Sequence, residues 1–241
     1  MNEASVGWMR DEFLGRCLER PVWRLEDNSA ASLAIAAARA ERDWMIDARV
    51  PVGQIEALAQ LTAQGFRIID TNVQLDCAVD ALTVVTTFSN DWHLRPARAA
   101  DRGVVQELAA RYLNTSRFHL DPRLGQPVGA RVKREWVSNF FEAKRGDHMF
   151  VVESHAGVCG FLLVLERDSL GTIDLIAVEP QVRGTGAAGA LVDAWRTSSR
   201  HLKRLLVGTQ ISNVRSLRAY EKLGFRVCAA THVLHRHSAD A

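Results

Sequence analysis

The chain has 241 residues, 47% hydrophobic and 24% charged, proportions that exclude a disordered or fibrous protein and supply enough apolar material for one large or two modest cores. Thirty Lys+Arg against 28 Asp+Glu leave a formal charge of +2 with no run of like charges, so no dedicated nucleic-acid surface is expected and a small ligand is the better partner. The longest apolar stretches fall short of the roughly 18 residues of a membrane span, and the first residues lack the basic start and apolar stretch of a secretory signal, so a cytoplasmic protein without membrane insertion is expected.

In chain order, residues 54–64 carry Ile55, Leu58, Ala59 and Leu61 at helical spacing, end at Gly65 and lead into a strand from Phe66 to Leu75. A compositional seam at Ser89-Asn90-Asp91 places a domain boundary near residue 93, giving domains over 1–93 and 94–241. Leu94 to Ala97 then reads as an edge strand, Asp101 as the cap of a helix to about Leu113, and 129–144 as a second helix. Met149–Ser154 and Val158–Glu166 form a hairpin across His155-Ala156-Gly157, and Thr172–Val178 extends the meander. A helix from about Thr185 to Arg200, a strand over 204–209, a helix over 216–223 and a strand from Phe225 to His235 complete the chain. The last two repeat the phrase helix, Gly, Phe, strand found at 54–75, so the two halves read as related.

The strongest chemical signal is Val178-Glu179-Pro180-Gln181-Val182-Arg183-Gly184-Thr185-Gly186-Ala187-Ala188-Gly189, a strand running through a proline turn into a glycine-rich helix start. Gly184 and Gly186 remove the Cβ atoms that would hold a phosphate off the backbone, and successive amides at a helix N-terminus supply donors and a favourable dipole. Arg183 adds a fixed charge. Gly186 is followed by Ala-Ala rather than Lys-Ser/Thr, which excludes a P-loop. Gly184-x-Gly186-x-x-Gly189 formally satisfies the dinucleotide fingerprint, but Pro180 to Arg183 separate strand from glycine and no acid follows over 203–210, so that reading is set aside.

Gln181-x-x-Gly184-x-Gly186 after Ala177-Val178-Glu179-Pro180 resembles the acetyl-CoA motif of the GCN5-related N-acetyltransferase (GNAT) superfamily, and Asn213 to Phe225 resembles the second half of that pattern. Over about 94–236 the resemblance implies an α+β GNAT fold with a mixed central sheet. It implies that backbone groups of Ile176 and Val178 hold the pantetheine of acetyl-CoA, the co-substrate, and that Arg183, Gly184, Thr185, Gly186 and Ala187 hold its pyrophosphate. Seven residues, nearly two helical turns, separate Asn213 from Tyr220 and put both on one face. A phenol is a reasonable donor to a departing thiolate, so Tyr220 is the candidate general acid, a role the resemblance also assigns; the plain alternative is an amphipathic Tyr beside Leu217. Asn213 is a helix cap, a cofactor ligand, or both.

No unique base stands out; His119, Glu153 and Asp174 are candidates beside a water relay. Cys159, in an apolar run, reads as a buried inert thiol, which favours direct transfer over a covalent acyl-enzyme, and the four widely spaced cysteines suggest neither zinc cage nor disulfide framework. Acceptor choice falls to Ser116-Arg117-Phe118-His119-Leu120-Asp121-Pro122, where Arg117 suits a phosphate and His119 and Asp121 suit hydroxyls or the amine, the alternative being an Asp-Pro turn with surface polar groups. Trp136, Phe140 and Phe141 read as core. His232, His235 and His237 read as alternating polar residues at a fraying strand end, and no metal site is expected.

The 116–122 segment and the appended N-terminal half are similar to the dTDP-fucosamine acetyltransferases, in which a smaller partial GNAT-like α/β domain precedes the catalytic one; residues 1–50 show no clear likeness. That resemblance implies acetyl transfer to a primary amine of a nucleotide-linked amino sugar; separately from it, the N-terminal half is open to use as a dimerisation module, giving a homodimer. The alternatives are another amine (peptide N-terminus, polyamine, antibiotic) or a non-catalytic acyl-CoA-binding protein.

Overall fold

In the computed structural model, which describes residues 7–83 and 92–240, the N-terminal half comprises β1 (Trp8–Arg10), α1 (Glu12–Leu18), β2 (Val22–Leu25), α2 (Ala31–Ala38), β3 (Met45–Pro51), α3 (Ile55–Ala63) and β4 (Arg67–Ala78). The C-terminal half comprises β5 (His93–Pro96), α4 (Arg102–Tyr112), the one-turn α5 (Arg117–Leu120), α6 (Gly125–Phe141), β6 (His148–Ser154), β7 (Gly157–Arg167), β8 (Leu170–Val178), α7 (Ala187–Ser198), β9 (Arg204–Gln210), α8 (Val214–Lys222) and β10 (Arg226–His237). The seam at 89–91 lies outside the described residues. Among those described, no helix is long and apolar enough to cross a membrane.

All ten strands share one mixed sheet, in the order β1-β2-β3-β10-β4-β9-β8-β7-β6-β5, with β2–β3 and β8–β9 parallel and the other pairs antiparallel. Strands β6 to β8 are apolar on both faces because both are covered. Phe150, Val152, Leu162 and Val164 point into a core with Leu191 and Trp195 of α7 and Tyr220 of α8. Their neighbours Met149, Val151, Phe161 and Leu163 point the other way, into a core with Val105 and Leu108 of α4 and Val137 of α6. The hairpin turns at Gly157, whose φ of +113° is open to glycine.

The two helix-Gly-Phe-strand phrases lie side by side at the centre of the sheet. Gly65 and Gly224 both take left-handed backbone (φ +85° and +97°), Phe66 and Phe225 are both buried, and the strands that follow, β4 and β10, pair antiparallel from Arg226↔Asp76 to His235↔Arg67. Their outer partners are exchanged: β10 pairs with β3 of the N-terminal half, and β4 pairs with β9 of the C-terminal half. The residues on either side of the boundary expected near residue 93 therefore contribute interleaved strands to one hydrogen-bonded sheet.

Three local expectations are corrected. Residues 116–122 are not an open turn: they contain α5, and α6 begins at Gly125 rather than 129, with Pro127 in its first turn, where a missing N–H costs nothing. Asp101 does not cap α4 with its side chain; its carboxylate turns back to the Arg98 amide (2.7 Å) and accepts two bonds from Arg95 (2.7 and 3.0 Å). The end of β10 is not frayed. It runs between β3 and β4, and His235 and His237 are buried.

A Cβ at Gly224 would stand 2.6 Å from the Ala81 carbonyl oxygen as well as forcing a left-handed residue. Gly224→Ala is expected to cost about 2 kcal/mol or more of unfolding free energy, measured by urea titration; a loss below about 0.5 kcal/mol would contradict this packing of the second phrase.

Candidate active site

Strands β8 and β9 pair from Leu170↔Arg204 to Ile173↔Val207 and then part. The parting coincides with a bulge: Leu163 of β7 faces Leu175 and Val164 faces Ile173, so Asp174 is the extra residue. Beyond it, Glu179 donates its amide to Cys159 O of β7 at 2.8 Å, and by strand alternation Ile176 and Val178 direct their backbone groups away from β7, into the gap. The gap opens into a cleft of about 1300 Å³.

At one end of the cleft lies the glycine turn. Gly184 and Gly186 have φ of +84° and +89°, and a Cβ built on Gly184 meets nothing within 4 Å, so the backbone borders open space. Ala190 N closes the first bond of α7, to Gly186 O at 2.9 Å, which leaves the amides of Ala187, Ala188 and Gly189 without intrahelical acceptors at the cleft wall. Arg183 Nε donates to Val178 O at 3.3 Å and its guanidinium lies 5.5 Å from the Tyr112 ring centroid. Thr185 shapes the turn rather than the wall, its hydroxyl donating to Val182 O at 2.8 Å. Six of the lining residues are basic (Arg111, Lys133, Arg183, Arg215, Arg218 and Lys222) and one, Asp174, is acidic. Open-faced glycines, free helix amides and excess positive charge fit a diphosphate, and the unpaired edge of β8 fits an amide-bearing chain.

Asn213 and Tyr220 both line the cleft. Asn213 caps α8, its Oδ1 accepting from Ser216 N at 3.3 Å, while its Nδ2 donates to Thr209 Oγ1 at 3.2 Å. Tyr220 is buried edge-on against Phe225, ring centroids 5.8 Å apart, and burial holds its phenol well above the usual value, so it stays protonated.

The acceptor segment is the largest departure from expectation. Arg117, His119 and Asp121 are absent from the cleft lining, with His119 and Asp121 buried and Arg117 half-buried. Arg117 Nη2 pairs with the fully buried Asp47 of β3 at 3.2 Å. Asp121 Oδ2 accepts from His235 Nδ1 (2.6 Å) and His237 Nε2 (2.8 Å); burial alone would raise this carboxyl, but the two imidazole donors outweigh it and hold it well below its ordinary range. These three side chains bring one ligand atom each within 4.8 Å of one another, but the short bonds already satisfy the carboxylate oxygen. His119 shares a 2.7 Å hydrogen bond with Ser116 Oγ, and a Cβ at Gly129 would stand 2.4 Å from its ring, so the glycine makes its space. Burial, with Lys133 adding, pushes its imidazole down to about 4.

Of the other base candidates, Glu153 lies on β6 away from the cleft and binds Arg95 at 2.7 Å. Asp174 lines the cleft, but Trp136 Nε1 (2.9 Å) and Arg145 Nε and Nη2 (2.8 and 2.7 Å) occupy both its oxygens. Cys159 is buried, and burial, with Glu179 adding, pushes its thiol up to about 11, as an inert thiol requires. Lys133, which sequence reading passed over, lines the cleft. Its signal is a lysine on the apolar face of α6, among Gly129, Val132, Trp136 and Val137.

Residues 145–227 match the acetyltransferase (GNAT) domain family. Over those residues the chain carries a GNAT acetyltransferase domain. Spore coat polysaccharide biosynthesis protein SpsD of Bacillus subtilis (strain 168) is 31% identical over 139 residues, 56% of this chain and 47% of SpsD, so the chain spans about half the length of that relative. Among solved structures, a tandem GNAT protein from the clavulanic acid biosynthesis pathway aligns with a TM-score of 0.62 at 13% identity, covering 90% of this chain and 75% of that one. A GCN5-related N-acetyltransferase from Sphaerobacter thermophilus aligns at 0.64 and 14% identity, covering 96% and 76%. Both likenesses concern the fold, and the tandem architecture agrees with two related halves flanking the β4–β10 seam; the glycine turn, Asn213 and Tyr220 all lie within the GNAT domain.

The buried histidines set an acid limit. His119 in the folded protein stays neutral down to about 4, whereas an unfolded histidine protonates near 6.5; between these values the unfolded chain binds more protons, so stability is full above about 6.5 and falls with pH. Burial also lowers His235, which adds to the same slope. Urea titrations at several pH values should show a loss on the order of 2 kcal/mol attributable to His119 across that window, and His119→Gln should flatten the slope. An unchanged slope in the variant would contradict this placement of His119.

Proposed function

We propose that the GNAT domain moves acetyl from acetyl-CoA to a primary amine, and that the amine belongs to a nucleotide-linked amino sugar. The carrying observation is the gap between β8 and β9, opened at the Asp174 bulge, edged by the backbone of Ile176 and Val178 and ended by the amide cradle of Gly184 to Gly189. The cradle, with Arg183, would hold the pyrophosphate; the β8 edge would align the pantetheine; Asn213 would fix the start of α8 against it. Bound acetyl-CoA supplies an activated acyl group. Tyr220, protonated and facing the cleft, offers its O–H to the sulfur that departs, and Cys159, buried and protonated, takes no acyl group. The amino-sugar assignment draws on the spore coat polysaccharide role in SpsD's name and on the resemblance to nucleotide amino-sugar acetyltransferases.

Isothermal calorimetry with CoA and acetyl-CoA tests the cradle. Gly184→Trp fills the open space beside the turn and is expected to weaken binding by at least about tenfold, roughly 1.4 kcal/mol, measured at a temperature where the variant, strained by a side chain at φ +84°, is still folded; unaltered affinity would remove the cradle from the site. Assays with a panel of UDP- and dTDP-linked amino sugars, spermidine and a peptide with a free N-terminus test the acceptor, and transfer confined to the peptide or polyamine would overturn the sugar reading. On an accepted amine, Tyr220→Phe should lower kcat by about 10²-fold or more with little change in KM for acetyl-CoA; an unchanged kcat where chemistry limits turnover would end the general-acid role.

A further inference from the structure

An amine attacks only after losing its proton, and the residues first nominated to take it are otherwise engaged. Asp174 is bound through both oxygens, Glu153 is off the cleft, and His119 stands behind the wall bonded to Ser116. Lys133 is not so engaged. It is 8% exposed, lines the cleft, and makes no hydrogen bond or ion pair among the described residues; its Nζ lies 4.8 Å from the ring centroid of Trp136, whose Nε1 in turn donates to the bulge residue Asp174. Lys133 is thereby set beside the point where β8 and β9 part. It comes from α6, which packs with α4 on one face of the sheet, whereas Tyr220 belongs to the core on the other face. The two side chains address the gap from opposite sides, as deprotonation of an entering amine and protonation of a departing thiolate require.

A buried cation without a counter-ion is costly; a lysine escapes that cost by releasing its proton, and an arginine does not. The chain holds 26 arginines and only four lysines, and Lys133 is the buried one of the four. We propose that Lys133 is the general base of the acetyl transfer, a proposal that rests on the acetyltransferase reading above. Burial, reinforced by Arg117 and opposed by Asp174, pushes its ammonium down to about 8, the range in which a lysine works as a base. His119 of α5 also interacts with it, and Arg145, held by Asp174, shares the Trp136 ring with it. The ammonium of the acceptor gives one proton to the Lys133 nitrogen; the C–N bond forms as the C–S bond breaks; Tyr220 gives its proton to the departing sulfur, the nitrogen loses its second proton to water, and water returns a proton to the Tyr220 phenolate; Lys133 then releases its proton to solvent as product leaves.

The full chain with ε-¹³C lysine gives one resonance per lysine, and Lys133→Met assigns the one of interest. A midpoint near 8 is expected for it; a midpoint shared with ordinary lysines near 10.4 would overturn the proposal. With acetyl-CoA and whichever amino sugar of the panel is accepted, Lys133→Met and Lys133→Arg should both lower kcat/KM near neutral pH by about 10²-fold or more, recover as pH rises past the amine's own pKa, and leave calorimetric affinity for CoA unchanged. Lys133→Gln replaces Lys133→Met if the latter fails to fold. Retained activity in Lys133→Arg would make the residue a holder of an anion and defeat the proposal alone. Wild-type protein that binds acetyl-CoA yet acetylates no amine would defeat the acetyltransferase reading and this proposal together, whatever the lysine titration shows.

Discussion

Beyond Ile173 and Val207 two parallel strands stop exchanging hydrogen bonds, and the backbone groups thus freed on β8 need partners outside the sheet. A buried strand edge left unpaired carries a large penalty, so the surrounding structure must either admit water or a ligand there. The rest of the C-terminal half follows from that constraint. The bulge at Asp174 moves β8 aside, Trp136 and Arg145 hold the displaced carboxylate, α7 begins where the gap ends, and Tyr220 and Lys133 stand on either face of the opening.

A second constraint lies under the cleft floor. Arg117 meets Asp47 from the N-terminal half, and Asp121 meets His235 and His237 at the end of the last strand. The Arg117–Asp47 pair is largely out of water, so removing one partner leaves the other unpaired at a cost of several kcal/mol, about 3–5 for a buried ion pair. Their effect is geometric: they anchor α5 and hence the Asn114–Ser116 stretch that forms one wall of the cleft. The N-terminal half thus contributes to the shape of the cleft through Asp47, even though the glycine turn, Asn213 and Tyr220 come from the C-terminal half.

What could be read from sequence was local. The cradle was legible because glycines, a proline turn and a helix start are encoded within twelve residues, and the hairpin and the Gly-Phe phrases for the same reason. Residues 1–50 were opaque: in β3 Asp47 and Arg49 alternate with Ile46, Ala48 and Val50, so Asp47 reads as an exposed polar position, and the reason it is tolerated in the interior, Arg117, is 70 positions away. The same distance effect misled at 116–122 and at the terminal histidines. Each reads as polar and therefore exposed, yet each solvates the other in the interior. Lys133 was hidden differently, since its neighbours showed an amphipathic helix and only its position on the apolar face marked it as unusual.

The exchange of β4 and β10 has a bearing on how such a chain can be divided. A fragment ending before residue 92 would keep β3 and β4 with the strand that joins them missing, and a fragment starting there would carry β10 with no neighbour on either edge and β9 with one edge bare. Each piece would be a half-zipped sheet, prone to recruit foreign strands, but the two together hold complementary edges. The protein is accordingly a natural candidate for reconstitution from two separately made polypeptides.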